Sequence, residues 1–373
     1  TNCARGPHAI CTQGRRPRGS EMSEPELIVA RHRRAGRLTL NRPKALNSVT
    51  YGMVTEIEKA LLAWRDDPSV EIVITDAAPG RAFAAGGDIK DLYEQGRAGN
   101  FAFGRRFWAD EYRMNALIAT YPKPVITLVD GIVMGGGVGV ASHASHRIVT
   151  ENVILAMPEC GIGLIPDVGG SFLLSRAPGR LGEYMGLTGA RIGAADALLT
   201  GFADFHVPAA RLPELIDKLC ETADPLEIAG FAADPARAES PAVAPYLAAI
   251  RPGVDESFSA PNPLAILAAL RPRSEPWAED AAKAIRRGAP LSIACALVAI
   301  RQAREAERLE DALATEYRFS YRCSEEGEFL EGIRAAVIDK DRDPHWAIPR
   351  LEDVTVERAA AMLAPLGADE LRL

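Results

Sequence analysis

Two apolar segments, Ile72-Val73-Ile74 and Val125-Ile126-Thr127-Leu128-Val129, each run on into a glycine-rich stretch. The stretches are Ala84-Ala85-Gly86-Gly87-Asp88 and Met134-Gly135-Gly136-Gly137-Val138-Gly139, and each opens what reads as a helix. Strands that alternate with helices through such turns make βαβ units, so the pattern predicts an α/β core. It also predicts chemistry. The first backbone N–H groups of a helix have no intrahelical partner, and the helix dipole favours negative charge there. Glycine lets a ligand approach that backbone, because no Cβ stands in the way. Two such N–H groups from separate loops can converge on one carbonyl oxygen as an oxyanion hole. Two acids, Glu159 and Asp167, follow downstream as candidates for nucleophile or base.

Composition narrows the class. With 373 residues, 47% hydrophobic and 25% charged, the chain has enough apolar material for a sizeable core of a soluble enzyme. A formal net charge of −7 argues against nucleic acid or an anionic membrane as the main partner, though a local Arg cluster can still bind phosphate. No apolar run reaches the roughly 18–20 residues that span a bilayer. The six cysteines lack CxxC spacing, so they read as reduced thiols of a cytosolic-type compartment. Cys160, beside Glu159, has no His or Asn motif near it and reads as packing. Residues 1–21 are Arg-rich, with Gly and Pro but no apolar periodicity, and are expected to be a disordered extension.

Strands are expected at Leu27–Arg31, Arg37–Leu40, Glu71–Thr75, Val125–Val129, Arg147–Thr150 and Val153–Met157. Met53, Ile57, Leu61 and Trp64 recur at helical spacing, and a second helix is expected over 100–119. These elements predict a core domain over 22–220. Residues 221–263, rich in Pro and Ala, read as a loosely folded connection. A helical region follows over 264–373, with helices near 291–307 and 309–322.

Leu40-Asn41-Arg42-Pro43-Lys44-Ala45-Leu46-Asn47 resembles the CoA loop of the crotonase (enoyl-CoA hydratase/isomerase) superfamily. Ala82-Phe83-Ala84-Ala85-Gly86-Gly87-Asp88-Ile89 and Gly131-Ile132-Val133-Met134-Gly135-Gly136-Gly137 resemble its two oxyanion loops. Within the superfamily, Met157-Pro158-Glu159, the run Ile162 to Gly170, and Glu331-Gly332-Ile333-Arg334 through Asp341 are similar to the 3-hydroxyisobutyryl-CoA hydrolases. The resemblance spans about residues 26–350.

It implies stacked ββα superhelical units with a helical C-terminal region. It puts the oxyanion donors on the N–H groups of Gly87 and Gly136, and substrate contacts on Glu111, Asp88, Ile89 and Lys90. Lys44, Ala45 and Leu46 fall in the CoA loop. Arg105-Arg106 and Arg31, Arg33 and Arg34 are candidates for the CoA phosphates. Glu159 and Asp167 would be catalytic, acting on a short branched β-hydroxyacyl-CoA in valine breakdown. No cofactor is implied, since CoA is part of the substrate, and no metal, since His143 and His146 lack a third ligand. A homo-oligomer stays open. The setting would be cytoplasmic, or the mitochondrial matrix in a eukaryote.

The acids rank the chemistry. Hydratases of this superfamily carry a glutamate just after the GGG run, where this chain has Gly139. Adding water across a double bond needs that second acid–base group, so its absence counts against hydration. Asp167 stands where hydratases usually carry Gly and the hydrolases carry Asp. The rivals are an enoyl-CoA hydratase or isomerase, and a non-catalytic CoA- or RNA-binding relative.

Overall fold

The computed structural model describes Thr1, residues 24–238 and residues 241–373. The extension expected over 1–21 lies, Thr1 apart, outside them. The first elements are β1 (Leu27–His32) and β2 (Ala35–Leu40), an antiparallel hairpin, followed by α1 (Tyr51–Arg65). Thr50 caps α1, its hydroxyl accepting from Met53 N at 3.1 Å.

The chain then repeats one winding. β3 (Ile72–Ala77) and β4 (Ala82–Ala84) lead to α2 (Ile89–Arg97) and α3 (Phe101–Ala119). β5 (Val125–Val129) and β6 (Ile132–Met134) lead to α4 (Gly136–Ala141). β7 (His146–Val149) and β8 (Ile154–Ala156) lead to a 3-10 turn at Glu159–Ile162, then to α5 (Gly170–Arg176) and α6 (Leu181–Thr188). The first strand of each winding joins a six-stranded sheet in the order β1-β2-β3-β5-β7-β9, where β9 is Phe205–His206. The second strand joins a three-stranded sheet, β4-β6-β8. All pairs after the first hairpin are parallel. These are the expected ββα units.

Alternate residues of the larger sheet bury opposite ways. Ile72, Ile74, Ile126, Leu128 and Ile148 pack under α8 (Leu212–Thr222), which follows α7 (Ala194–Thr200). Val73, Val125 and Val129 face the main core. The strand ends come within one or two residues of expectation. The short strands β4, β6 and β9 lie outside the expected set, since two or three residues show no period of their own; β8, as short, is found because Val153 and Met157 extend its apolar run.

Downstream, α9 (Leu247–Phe258), α10 (Pro263–Leu270) and α11 (Pro276–Arg287) lead to α12 (Pro290–Glu305), α13 (Leu309–Cys323), α14 (Phe329–Ile333) and α15 (Val356–Leu363). The loose connection expected over 221–263 is therefore corrected: it contains α9, whose Val254 and Phe258 are fully buried. Pro252 sits inside that helix and masks its pattern. One hydrophobic cluster runs from Leu27 to Leu363, across both expected divisions. Among the described residues no helix is long and apolar enough to cross a membrane.

Candidate active site

Both glycine-rich loops end at helix starts, and they meet. Gly135 has φ 47° and ψ −123°, a conformation open only to glycine, and a Cβ there would lie 2.7 Å from Glu159 Oε1. A Cβ at Gly136 would lie 3.1 Å from the Gly87 nitrogen and 2.9 Å from Glu111 Oε1. The Gly87 and Gly136 nitrogens thus belong to one small region, beside two of the expected acids. Neither N–H donates to a backbone acceptor among the described residues.

A cavity of about 760 Å³ opens there, within the usual range for small-molecule sites. Gly87, Gly136, Glu111, Glu159, Asp167 and Ile89 all border it. Phe107 and Trp108 of α3, Phe329 of α14, and Ala335 and Ala336 of a π-turn at Arg334–Ile338 complete its apolar wall. The sequence marks residues 331–341 as a motif without assigning them to the wall, and Phe329, Phe107 and Trp108 carry no local signal of their place on it. The C-terminal region is held tightly against the acid-bearing loop: a Cβ at Gly332 would lie 2.1 Å from the Ile162 carbonyl oxygen.

Four acids are buried together. Glu111, Glu159, Asp167 and Glu316 expose 3%, 5%, 4% and 0% of their surface. Glu111 Oε1 and Glu159 Oε2 have no hydrogen-bond partner among the described residues. Burial pushes Glu159 and Glu111 well above the usual carboxylate range, and the Asp167 charge adds to both shifts. Burial brings Asp167 up to about 7, against the opposing hydrogen bond from the Tyr112 hydroxyl. Carboxyl groups raised in this way, clustered in a cleft, are the kind that acid–base catalysis uses.

Asp167 sits in a strained turn. Val168, a β-branched residue, has φ 54°, and Gly169 has φ 78°. His143 Nε2 donates to the Val168 carbonyl at 2.7 Å, and burial lowers that histidine to about 4, so it stays neutral. His146 does not join it in a metal pair, and among the described residues no group of three or more ligating side chains forms a metal site.

Some expected contacts stand elsewhere. Asp88 and Lys90 do not border the cavity. Asp88 caps α2, accepting from Lys90 N at 3.4 Å, and pairs with Arg42 at 2.9 Å. Lys90 pairs with Glu94 on the open side of that helix, 3.8 Å away. Both side chains thus support the loop beside the cavity, between and next to Gly87 and Ile89, which border it. Lys44 and Ala45 are exposed and Leu46 half-buried, outside the cavity wall, with the Leu46 carbonyl accepting from Ala85 N at 3.0 Å. Arg34 is spent on Glu71, and Arg105 on the Tyr321 carbonyl and Glu325. The guanidiniums on the cavity are instead Arg191, Arg287 and Arg342, none with an ion pair among the described residues.

The enoyl-CoA hydratase/isomerase family model matches residues 35–363. A 3-hydroxyisobutyryl-CoA hydrolase of Arabidopsis thaliana is 38% identical over 342 residues, 89% of each chain. A mitochondrial 3-hydroxyisobutyryl-CoA hydrolase of Rattus norvegicus is 36% identical, over 93% of this chain and 91% of its own. Among solved structures, an enoyl-CoA hydratase of Rhodobacter sphaeroides has a TM-score of 0.86 at 47% identity, covering 94% of this chain and 100% of its own. A carnitinyl-CoA dehydratase of Mycobacterium thermoresistibile has a TM-score of 0.87 at 42% identity, covering 94% of this chain and 99% of its own. Every one of these names refers to a CoA thioester, but they divide between hydrolysis and the addition or removal of water.

Proposed function

The chain belongs to the enoyl-CoA hydratase/isomerase family, and from that premise we propose that it hydrolyses 3-hydroxyisobutyryl-CoA to 3-hydroxyisobutyrate and CoA. The observation that carries hydrolysis over hydration is Gly139. A Cβ there would lie 2.7 Å from Val168 Cβ and 2.8 Å from Asn115 Nδ2, so the space for a second catalytic glutamate is filled.

The thioester oxygen sits between the Gly87 and Gly136 N–H groups, which stabilise the charge that develops on it; losing one such donor typically costs about 10²–10³-fold in rate. Glu159 either attacks the carbonyl to give a mixed anhydride or takes a proton from the attacking water. In the first route the C–S bond breaks, CoA leaves as its thiolate, and water then hydrolyses the anhydride to release the acid and restore Glu159. In the second the water adds to the carbonyl, the C–S bond breaks and the proton taken by Glu159 passes to the departing CoA thiolate. Asp167 accepts a hydrogen bond from the substrate's β-hydroxyl or holds the water. Glu111, across the oxyanion region, closes the acyl end. No cofactor is needed beyond the CoA of the substrate. The segment Lys44–Leu46 lies toward the nucleotide, whose phosphates meet Arg191, Arg287 and Arg342. Free cysteines and a net charge of −7 suit a cytoplasmic setting, or a mitochondrial one, the word the rat relative's name carries. A homo-oligomer is part of this reading only as an expectation.

The test is a thioesterase assay over an acyl-CoA panel with free thiol as readout. Turnover of 3-hydroxyisobutyryl-CoA is expected to exceed that of isobutyryl-CoA; hydration of crotonyl-CoA without thiol release would overturn the proposal. Asp167→Asn is expected to lose far more kcat/KM on the hydroxylated ester than on isobutyryl-CoA. A site built around such a hydrogen bond rejects analogues that lack it. An equal loss on both would assign Asp167 to the chemical step instead.

Arg287→Glu probes the nucleotide end. Replacing an attractive charge by a repulsive one is expected to raise KM for the acyl-CoA about tenfold. The effect should weaken in high salt and nearly vanish on a pantetheine thioester, which lacks the nucleotide. An unchanged KM on the full CoA ester would remove Arg287 from the binding site.

A further inference from the structure

Behind Asp167, away from the cavity, lies a buried polar network that the reaction as described does not use. The Tyr112 hydroxyl donates to Asp167 Oδ2 at 2.8 Å and lies 2.7 Å from the Ser320 hydroxyl. Tyr112 and Ser320 are both fully buried. Ser320 and Glu316 belong to α13, far along the chain, and because Tyr112 gives its one proton to Asp167, the Ser320 hydroxyl donates to the Tyr112 oxygen, with the Glu316 carbonyl at 3.1 Å as its alternative acceptor. The Glu316 carboxylate accepts from Gly169 N at 2.7 Å and Ser171 N at 2.9 Å, and it bonds the Ser171 hydroxyl. The turn from Asp167 to Ser171 is thus pinned from the C-terminal region, which holds its left-handed Val168, φ 54°, in a conformation a β-branched residue rarely adopts.

We propose that Tyr112 is a positioning residue: braced by Ser320 of α13, it fixes one oxygen of Asp167 and keeps that carboxylate an acceptor for the substrate's β-hydroxyl. This rests on the thioesterase reading above and deepens it, because selectivity for a hydroxylated acyl group then depends on a helix that does not touch the substrate. A phenol here has one proton to give. Burial, with Asp167 next to it, raises Tyr112 well above its usual range, so the hydroxyl stays protonated and stays a donor. Several groups face Asp167 from the surrounding elements. Glu111 on α3, Glu159 on the 3-10 turn, and Glu316 and Cys323 on α13 all sense its charge. Neutral His143 holds the Val168 carbonyl next to it. None of them is a cation. The Tyr112 hydroxyl is therefore the side-chain donor that stabilises the Asp167 anion.

The sign of the effect on pH dependence follows from these groups. Burial brings Asp167 to about 7, and the Tyr112 hydrogen bond works in the opposite direction. Removing the hydroxyl lets the carboxyl rise further, so Asp167 becomes protonated at a higher pH. An ionised acceptor makes the stronger hydrogen bond. The acid limb of kcat/KM on the hydroxylated ester should therefore move to higher pH.

The experiment uses the full chain, with Tyr112→Phe and Ser320→Ala as variants. Hydrolysis of 3-hydroxyisobutyryl-CoA and isobutyryl-CoA is followed across the acid limb, with Tm as a folding control. Tyr112→Phe is expected to lower kcat/KM about tenfold on the hydroxylated ester near neutral pH. On isobutyryl-CoA the loss should be under about twofold, and the gap should narrow as pH rises. Ser320→Ala should act in the same direction more weakly, and it decides alone if Tyr112→Phe does not fold. Equal losses on both esters at every pH, or an acid limb unmoved in both variants, overturn the role of Tyr112. A wild-type chain with no preference for the hydroxylated ester instead refutes the proposed function itself.

Discussion

Glu159→Gln is expected to lower kcat on 3-hydroxyisobutyryl-CoA by about 10²–10⁴-fold, the usual contribution of a positioned acid–base group. Binding of the ester should stay within a few fold. The amide has nearly the same shape as the carboxylate, so it fits the slot that Gly135 leaves open. It can neither attack a carbonyl nor take a proton from water. The native carboxylate is well placed to do either. It is buried, one of its oxygens is unpartnered among the described residues, and it borders the same cavity as Gly87 and Gly136. Its raised pKa makes it a stronger base than an exposed glutamate, while requiring a pH at which it is ionised. Thiol release gives the rate, and calorimetry with a non-hydrolysable acyl-CoA thioether gives the affinity. A variant keeping more than about a tenth of the wild-type rate would take Glu159 out of the chemistry.

Much of this site is legible in the sequence because its parts are local. A strand, a glycine-rich turn and a helix start lie within a dozen residues of each other, and backbone donors need no distant partner. Glu159 and Asp167 are found for the same reason, each in a short motif behind those loops. Asp88 and Lys90 show that adjacency to the motif in sequence is not a place on the cavity wall: the Asp88 side chain caps its own helix and Lys90 pairs with Glu94. Residues that act from a distance leave no pattern. Glu316 looks like any acid on a helix facing water until the fold lays α13 over the Asp167 turn. Tyr112, Trp108 and Glu111 share α3 with solvent-facing charges, and the 3.6-residue period does not say which buried face meets a cavity. The guanidiniums show the same limit. Arg287 and Arg342 reach the cavity only through the packing of the C-terminal helices, while the conspicuous Arg105-Arg106 pair does not border it.

Gly139→Glu is expected to destabilise the protein and not to produce a hydratase. By the resemblance to the crotonase superfamily, a hydratase is expected to carry glutamate at that position, so on sequence alone the exchange would restore a catalytic group. The packing contradicts it. Val168 Cβ at 2.7 Å and Val168 Cγ2 at 3.0 Å from a Cβ at position 139 are not flexible side-chain ends but the stem of a strained residue next to Asp167. Moving Val168 moves Asp167, which is bonded to Tyr112, and pulls on the Gly169 nitrogen that Glu316 holds. Overpacking of this kind costs about 1–3 kcal/mol, and a carboxylate added beside buried acids costs more. Together these should lower Tm by roughly 5–10 °C. The new charge would also raise the pKa of its neighbours, so thioesterase activity should fall across the acid side of the pH profile. Scanning calorimetry and assays on crotonyl-CoA and 3-hydroxyisobutyryl-CoA measure all three effects. Efficient crotonyl-CoA hydration with an unchanged Tm would mean that the space beside Val168 is freely available. The division between hydrolysis and hydration would then rest on something other than Gly139 and the Asp167 turn packed against it.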